Sequence, residues 1–157
     1  PAEFDAVIAA PFGALGVHTE GDAITGISFL PPGTKPLAPT NALAARARDQ
    51  LSAYLSYPKT RFDLPLRPAG TAFQREVWQA IAAVSVGRTQ RYGEIAKKLK
   101  SAPRAVGQAC GRNPYPVIVP CHRVVGARGL GGFAQARDGF LLEAKRWLLT
   151  HENCLPG

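Results

Sequence analysis

The chain opens with three short runs in which apolar residues alternate with small or polar ones and break at glycine. Residues 4–10, 14–19 and 23–30 have the period of strands, with turns expected at 11–13 and 20–22. A proline-rich stretch spans 31–39. The period then lengthens to that of a helix over 41–55, with Leu43, Ala44, Ala47, Leu51 and Leu55 on one face and Thr40 as the expected N-cap. Residues 62–66 could add one more strand, which Pro65 would confine to an edge or cut short. Residues 1–66 therefore predict a small α/β unit.

A break at 67–70 separates this unit from a differently patterned second half, 67–157. Thr71 and Gln74 fit a capping box, and Phe73, Val77, Ala80, Ile81 and Val84 follow helical spacing up to an expected stop at Gly87. A short helix is predicted over 92–99, with Ile95, Ala96 and Leu99 inward and Lys97, Lys98 and Lys100 in solvent. Pro103 suits the first turn of a third helix reaching about Cys110. Two short helices around a tight break form the helix-turn-helix pattern, which many small bundles share. A last helix is expected over 140–151, with Leu141, Leu142, Leu148, Leu149 and the stem alone of Lys145 as its inner stripe.

Charge sharpens this division. Residues 1–70 carry six Lys/Arg and six Asp/Glu, whereas 71–157 carry thirteen and five, so the whole net charge of +8 lies in the second half. A basic half beside a neutral one suits binding to a polyanion, although solubility alone could also account for it. Apolar residues make up 46% of the chain, enough for a packed core, and no apolar stretch is long enough to span a bilayer. Without a charged-then-apolar leader, the expectation is a cytoplasmic protein. Three cysteines, an odd number, argue against a disulfide framework, and none has zinc-ligand spacing.

Cys121 is the strongest candidate for chemistry. Three β-branched residues, Val117, Ile118 and Val119, lead into Pro120-Cys121-His122-Arg123. A thiol attacks as its thiolate, so an ordinary cysteine needs a base, and an imidazole oriented by a carboxylate can serve. His122 is adjacent and Glu152 is the acid at the end of the last helix. Neighbouring side chains on a strand point to opposite faces, so direct contact between Cys121 and His122 would need a turn or a bridging water. Taken alone, without its flanking motif, Cys121 reads more readily as a buried, inert cysteine than as a nucleophile.

The run from Asn113 to Val124, Asn-Pro-Tyr-Pro-Val-Ile-Val-Pro-Cys-His-Arg-Val, resembles the signature of the O6-alkylguanine-DNA alkyltransferases, or methylated-DNA–protein-cysteine methyltransferases. Arg104-Ala-Val-Gly107 upstream and Leu148-Leu-Thr-His-Glu152 downstream resemble the same family. The resemblance implies an α/β (α+β) fold: a small ribonuclease H-like N-terminal domain, 1–66, then a mainly helical winged helix-turn-helix domain, 67–157. It implies minor-groove binding to double-stranded DNA carrying O6-alkylguanine, flipping of the damaged nucleotide, and irreversible transfer of the alkyl group to Cys121. His122 would assist removal of the thiol proton through a water, Glu152 would orient His122, and Asn113 would stabilise the turn under the cysteine. Tyr92 would help rotate the phosphate and donate to the guanine ring, and Arg104 would replace the extruded base. Ala105, Gly107, Arg112 and Arg123 join Arg104 and Tyr92 as expected DNA contacts. Pro116, Val124, Phe133 and Ala134 are the expected substrate pocket. No cofactor, metal, membrane or obligate protein partner is implied, and the expected state is a monomer.

The sequence also departs from the family pattern. Arg91 stands where a serine or threonine would cap the helix that starts at Tyr92. The link from Leu99 to Arg104 is about two residues short, and extra residues, 135–139, follow Ala134. Two other function classes remain open on sequence: a damage sensor that flips lesions without chemistry, and a DNA-binding regulator in which Cys121 is incidental or senses alkylation. A cysteine hydrolase using Cys121 and His122 has no other support.

Overall fold

The computed structural model describes residues 4–126 and 139–154. The chain divides into two compact units, 1–68 and 69–157. In the first unit, strands β1 (Ala6–Ala10), β2 (Gly13–Glu20) and β3 (Ala23–Leu30) form an antiparallel sheet in the order β1-β2-β3. Two-residue turns set both registers, because Ala10 pairs with Gly13 and Glu20 with Ala23. At Gly13, φ is +142°, and a β-carbon there would come within 2.2 Å of the Leu30 carbonyl oxygen, so the first turn admits only glycine.

Helix α1 (Ala42–Ser56) packs against this sheet. Its N-cap is Asn41, whose side chain accepts from Ala44 N at 2.7 Å, and not Thr40 as the sequence predicts. The Thr40 hydroxyl instead donates to Asp5 Oδ1 at 2.8 Å. Asp5 also accepts from the Thr19 backbone N–H at 2.8 Å, and this bond holds the carboxyl below its ordinary range. The buried face of α1 is Ala44, Ala47, Leu51 and Tyr54, while Leu43 and Leu55 are only half-buried. Tyr54 wins the place expected for Leu55 because its ring reaches Phe62, with centroids 6.0 Å apart. Residues 62–66 form no strand. Leu66 makes one isolated bridge to Ile24, and Ile24 N donates to the Pro65 carbonyl at 2.7 Å. Pro65 lacks the N–H that a continuing ladder requires.

The second unit begins with α2 (Ala72–Ala82), closed at its start by the reciprocal Thr71–Gln74 capping box. α2 ends five residues before Gly87, since Ala83 N and Val84 N turn back to the carbonyls of Ala80 and Ile81. Strand β4 (Gln90–Arg91) leads directly into α3 (Tyr92–Lys98), which is followed by α4 (Pro103–Gly111). After a 3₁₀ turn over Cys121–Arg123, strand β5 (Val124–Val125) pairs in parallel with β4. Helix α5 (Phe140–His151) closes the unit. Val77, Ile81, Ile95, Val106, Val124, Leu148 and Leu149 are completely buried and form its core, each worth roughly 1.5–3 kcal/mol on burial.

The break between α3 and α4 is short because it is a Schellman closure. Lys100 N donates to the Lys97 carbonyl, and Ser101 N to the Ala96 carbonyl at 2.8 Å. This places Lys100 at φ +54°, a left-handed position that suits glycine. Arg91 makes no side-chain cap for α3, but its backbone N–H donates to Glu94 Oε1 at 2.8 Å, which supplies half of a capping box. Among the described residues, no helix is long and apolar enough to cross a membrane. Lys100→Gly is expected to stabilise the chain by up to about 1 kcal/mol, the relief of left-handed strain less the added chain entropy, measured by urea denaturation. Destabilisation of that size would show that Lys100 is not strained.

Candidate active site

The site is built on the turn that joins α4 to Cys121. Asn113, two residues beyond α4, fastens both ends of that turn. Its Oδ1 accepts from Tyr115 N at 2.9 Å, and its Nδ2 donates to the Val119 carbonyl at 2.8 Å and lies 3.3 Å from Cys121 Sγ. Val119 N donates to the Tyr115 carbonyl, and Cys121 N to the Val119 carbonyl, each at 2.8 Å. Inside the turn, Val117 has φ +75°, costly for a β-branched residue and tolerated because its side chain is buried and the flanking bonds fix the backbone.

The 3₁₀ turn at Cys121–Arg123 supplies the change of direction that a strand could not give, and it buries all three side chains. His122 is fully buried, with Nε2 at 2.8 Å from Glu152 Oε2. Arg123 reaches the same carboxylate, with Nε at 2.7 Å from Oε1 and Nη2 at 3.1 Å from Oε2, and its Nη1 donates to the Val84 carbonyl at 2.7 Å. Arg123, expected among the DNA contacts, is thus buried in a charge pair with Glu152. A second Schellman closure fixes the height of Glu152: Asn153 stands at φ +66°, and Cys154 N donates to the Leu149 carbonyl at 2.8 Å.

Burial, joined by the Arg123 and Lys145 charges, lowers the affinity of His122 for a proton against the pull of Glu152, so the ring is neutral at ordinary pH. With Nε2–H donated to Glu152, Nδ1 is the acceptor nitrogen. Among the described residues it has no hydrogen-bond partner and is buried. The Cys110 thiol, followed by burial, pushes the Cys121 thiol well above its ordinary range, while Asn113 and the Lys145 ammonium oppose that rise.

Lys145 is buried entirely, not by its stem alone. Nζ donates to the Val124 carbonyl at 2.8 Å and lies 5.7 Å from the centre of the Tyr92 ring. Burial lowers its pKa to about 8, against the pull of the two cysteines. Tyr92, at the first turn of α3, is held above the ordinary phenol range by burial and by Cys110 and Cys121. Sequence reading missed Cys110 and the Lys145 head at this site. Helical period could have found Cys110, since Val106, Ala109 and Cys110 share the inner face of α4.

The outer face of α4 carries Arg104 and Gln108, both exposed, and Ala105 and Gly107, both partly exposed; Arg112, just beyond, is exposed as well. A β-carbon at Gly107 would meet nothing within 4 Å. This face borders a cleft of about 770 Å³ lined by Phe73, Gln74 and Trp78 as well as Ala105, Gln108 and Arg112. Pro116 is half-buried and Val124 fully buried. Phe133, Ala134 and residues 135–138 lie outside the described residues.

The family described as 6-O-methylguanine DNA methyltransferase, DNA binding domain, matches residues 72–154, which contain every group of this site. A methylated-DNA–protein-cysteine methyltransferase of Mycobacterium bovis is 39% identical over 150 residues, 88% of this chain and 91% of that protein. One from Methanosarcina mazei is 50% identical over 93 residues, which span 57% of this chain and 59% of that protein. The crystal structure of Mycobacterium tuberculosis OGT in complex with DNA matches with a TM-score of 0.77 and 38% identity, over 93% of this chain and 90% of that one. With the Pro-Cys-His-Arg turn backed by a buried glutamate, and with relatives similar over nearly the whole length, this chain belongs to the 6-O-methylguanine DNA methyltransferase family, the methylated-DNA–protein-cysteine methyltransferases.

Proposed function

We propose that the chain repairs O6-alkylguanine in double-stranded DNA by moving the alkyl group once, irreversibly, onto Cys121. The observation that carries this reading is a buried thiol fastened by Asn113 beside a neutral histidine whose other nitrogen is held by Glu152. The sulfur attacks the alkyl carbon, the carbon–oxygen bond breaks, and guanine leaves. His122 Nδ1 takes the thiol proton through a water, which explains why a raised thiol is compatible with reactivity: the proton is held until a base and a substrate are both present. Asn113 and Lys145 favour the sulfur once it is negative.

Tyr92 supports the departure of guanine. A phenol kept protonated by burial is a donor for the negative charge that develops on the leaving base. Arg104, exposed at the start of α4, fills the place of the flipped nucleotide, since a planar cation can stack and hydrogen-bond to the orphaned base. Ala105 and Gly107 let α4 approach the minor groove closely, and Arg112 reaches phosphate. Pro116 and Val124, with Phe133 and Ala134, form the alkyl and base pocket. The product is a thioether, which has no route back to the thiol, so each molecule acts once. A sensor without chemistry fits less well, because it has no need of the His122–Glu152 pair.

Cys121→Ser is expected to bind a duplex with O6-methylguanine and to gain no mass, whereas the unaltered chain gains one methyl group on the Cys121 peptide. A methyl group on another residue of the variant would move the acceptor elsewhere. Tyr92→Phe is expected to slow transfer about a hundredfold while binding is kept, as single-turnover quench experiments can measure; an unchanged rate would remove Tyr92 from the chemistry. Because burial lowers the His122 pKa below its ordinary 6.5, transfer is expected to stay level as pH falls from 8 to 6.5 and to decline only below. A decline centred at or above 6.5 would mean that His122 is not the base.

A further inference from the structure

Lys100, Val117 and Asn153 are the described residues other than glycine with positive φ. Val117 is buried, and its backbone is fixed by the bonds of the reactive turn. Asparagine is a residue type that tolerates the left-handed region. Lys100, at φ +54°, has neither support. Its side chain is exposed and, among the described residues, makes no hydrogen bond or ion pair. Glycine would close the same Schellman turn without strain. A lysine at this place weakens the fold locally, and its ammonium is left for a partner outside the chain.

The surroundings select a polyanion as that partner. Residues 92–112 hold five Lys/Arg, namely Lys97, Lys98, Lys100, Arg104 and Arg112, against one acid, Glu94. Every residue from Lys100 to Arg104 is exposed. The two lysines of α3 differ in place. A β-carbon at Gly93 would meet Pro103, the first residue of α4, at 3.9 Å, so this flank of α3 borders the start of α4. Lys97 follows Gly93 by one turn on that flank, and its carbonyl accepts from Lys100 N at 3.3 Å. Lys98 follows Glu94 instead, on the other flank.

We propose that Lys97 and Lys100 form a two-ammonium clamp on the phosphates that flank the groove entered by α4, a reading that rests on the DNA repair function above. Arg104 stands at the leading end of α4, four residues beyond Lys100. A minor groove is only about 6 Å wide, so a residue placed in it has a sugar-phosphate strand on either side. Lysine suits a phosphate as a compact point charge, with three donors on a flexible stem. Arg112 reaches phosphate from beyond the far end of α4. The two lysines secure the near end and fix how deeply Arg104 enters. Contacts to phosphate carry no sequence information, which suits a protein that must act wherever a lesion falls.

The test measures binding to a duplex with O6-methylguanine between about 50 and 200 mM salt, in the full chain carrying Cys121→Ser so that no transfer intervenes. Each phosphate contact releases counterions. Lys97→Gln and Lys100→Gln are therefore each expected to make the slope of log affinity against log salt shallower by about 0.9, an about threefold smaller loss of affinity over that range. The double variant is expected to lose about twice as much slope. Lys100→Arg and Lys98→Gln are expected to keep the slope. Lys100→Gly is expected to lose as much slope as Lys100→Gln, while its urea midpoint rises and that of Lys100→Gln does not, which separates the charge from the backbone. An unmoved slope in Lys100→Gln, a loss confined to Lys100→Gly, or an equal loss in Lys98→Gln overturns the clamp. The chain with Cys121 intact, mixed with the same duplex, reports on the transfer. Methyl on Cys121 with unmoved slopes overturns the clamp alone. Slopes that move as expected without any gain of methyl overturn the transfer and leave the clamp. Neither binding nor methyl overturns both.

Discussion

One carboxylate organises the chemistry of this protein. Glu152 is almost completely buried, and it is shared by the Arg123 guanidinium and the His122 ring. A lone buried carboxylate would be strongly unfavourable, so Arg123 makes the charge tolerable, and the charge in turn fixes the tautomer of His122. Removing one partner from a buried pair of this kind costs about 3–5 kcal/mol, because the other charge is then left unpaired. The same arginine ties the pair to the Val84 carbonyl, just beyond α2, so the end of one helix, the reactive turn and the cap of α5 are held to a common point.

The reactive turn applies the same logic to the backbone. Asn113 satisfies groups on both sides of the turn and still presents Nδ2 to the sulfur. The left-handed Val117 is strain of about 1–3 kcal/mol, held in place by those bonds and by burial of its side chain. What results is a thiol that is protonated at rest, with stabilising groups already aimed at its charged form. Such a site needs little rearrangement when the substrate arrives, which is the economy of preorganised electrostatics.

Lys145, its pKa lowered by burial to about 8, stabilises negative sulfur as the ammonium and carries a growing neutral fraction as the pH approaches 8. The second half of the chain, which carries this chemistry, also carries the whole basic excess, thirteen Lys/Arg against five Asp/Glu over 71–157, a balance suited to a phosphate backbone.

The sequence by itself determined the periodic elements. The three strands, α1, the Thr71–Gln74 capping box, α3, α4 and α5 are where hydrophobic spacing and turn residues put them, because those signals act within a few residues. The Asn113–Val124 run likewise announced the family and brought Cys121, His122 and Glu152 forward as a set. Choices between neighbours equal in propensity were decided by tertiary structure. Asn41 caps α1 because Thr40 is drawn to Asp5, and Tyr54 takes the inward place because Phe62 meets it. Arg123 reads as a surface cation in the sequence, and Lys145 as a snorkelling one. Only the fold could bury them, by bringing a carboxylate from 29 residues away to Arg123 and a carbonyl from 21 residues away to Lys145. Local pattern records which residues can form an element, whereas the fate of a buried charge depends on partners that the chain delivers only when it closes.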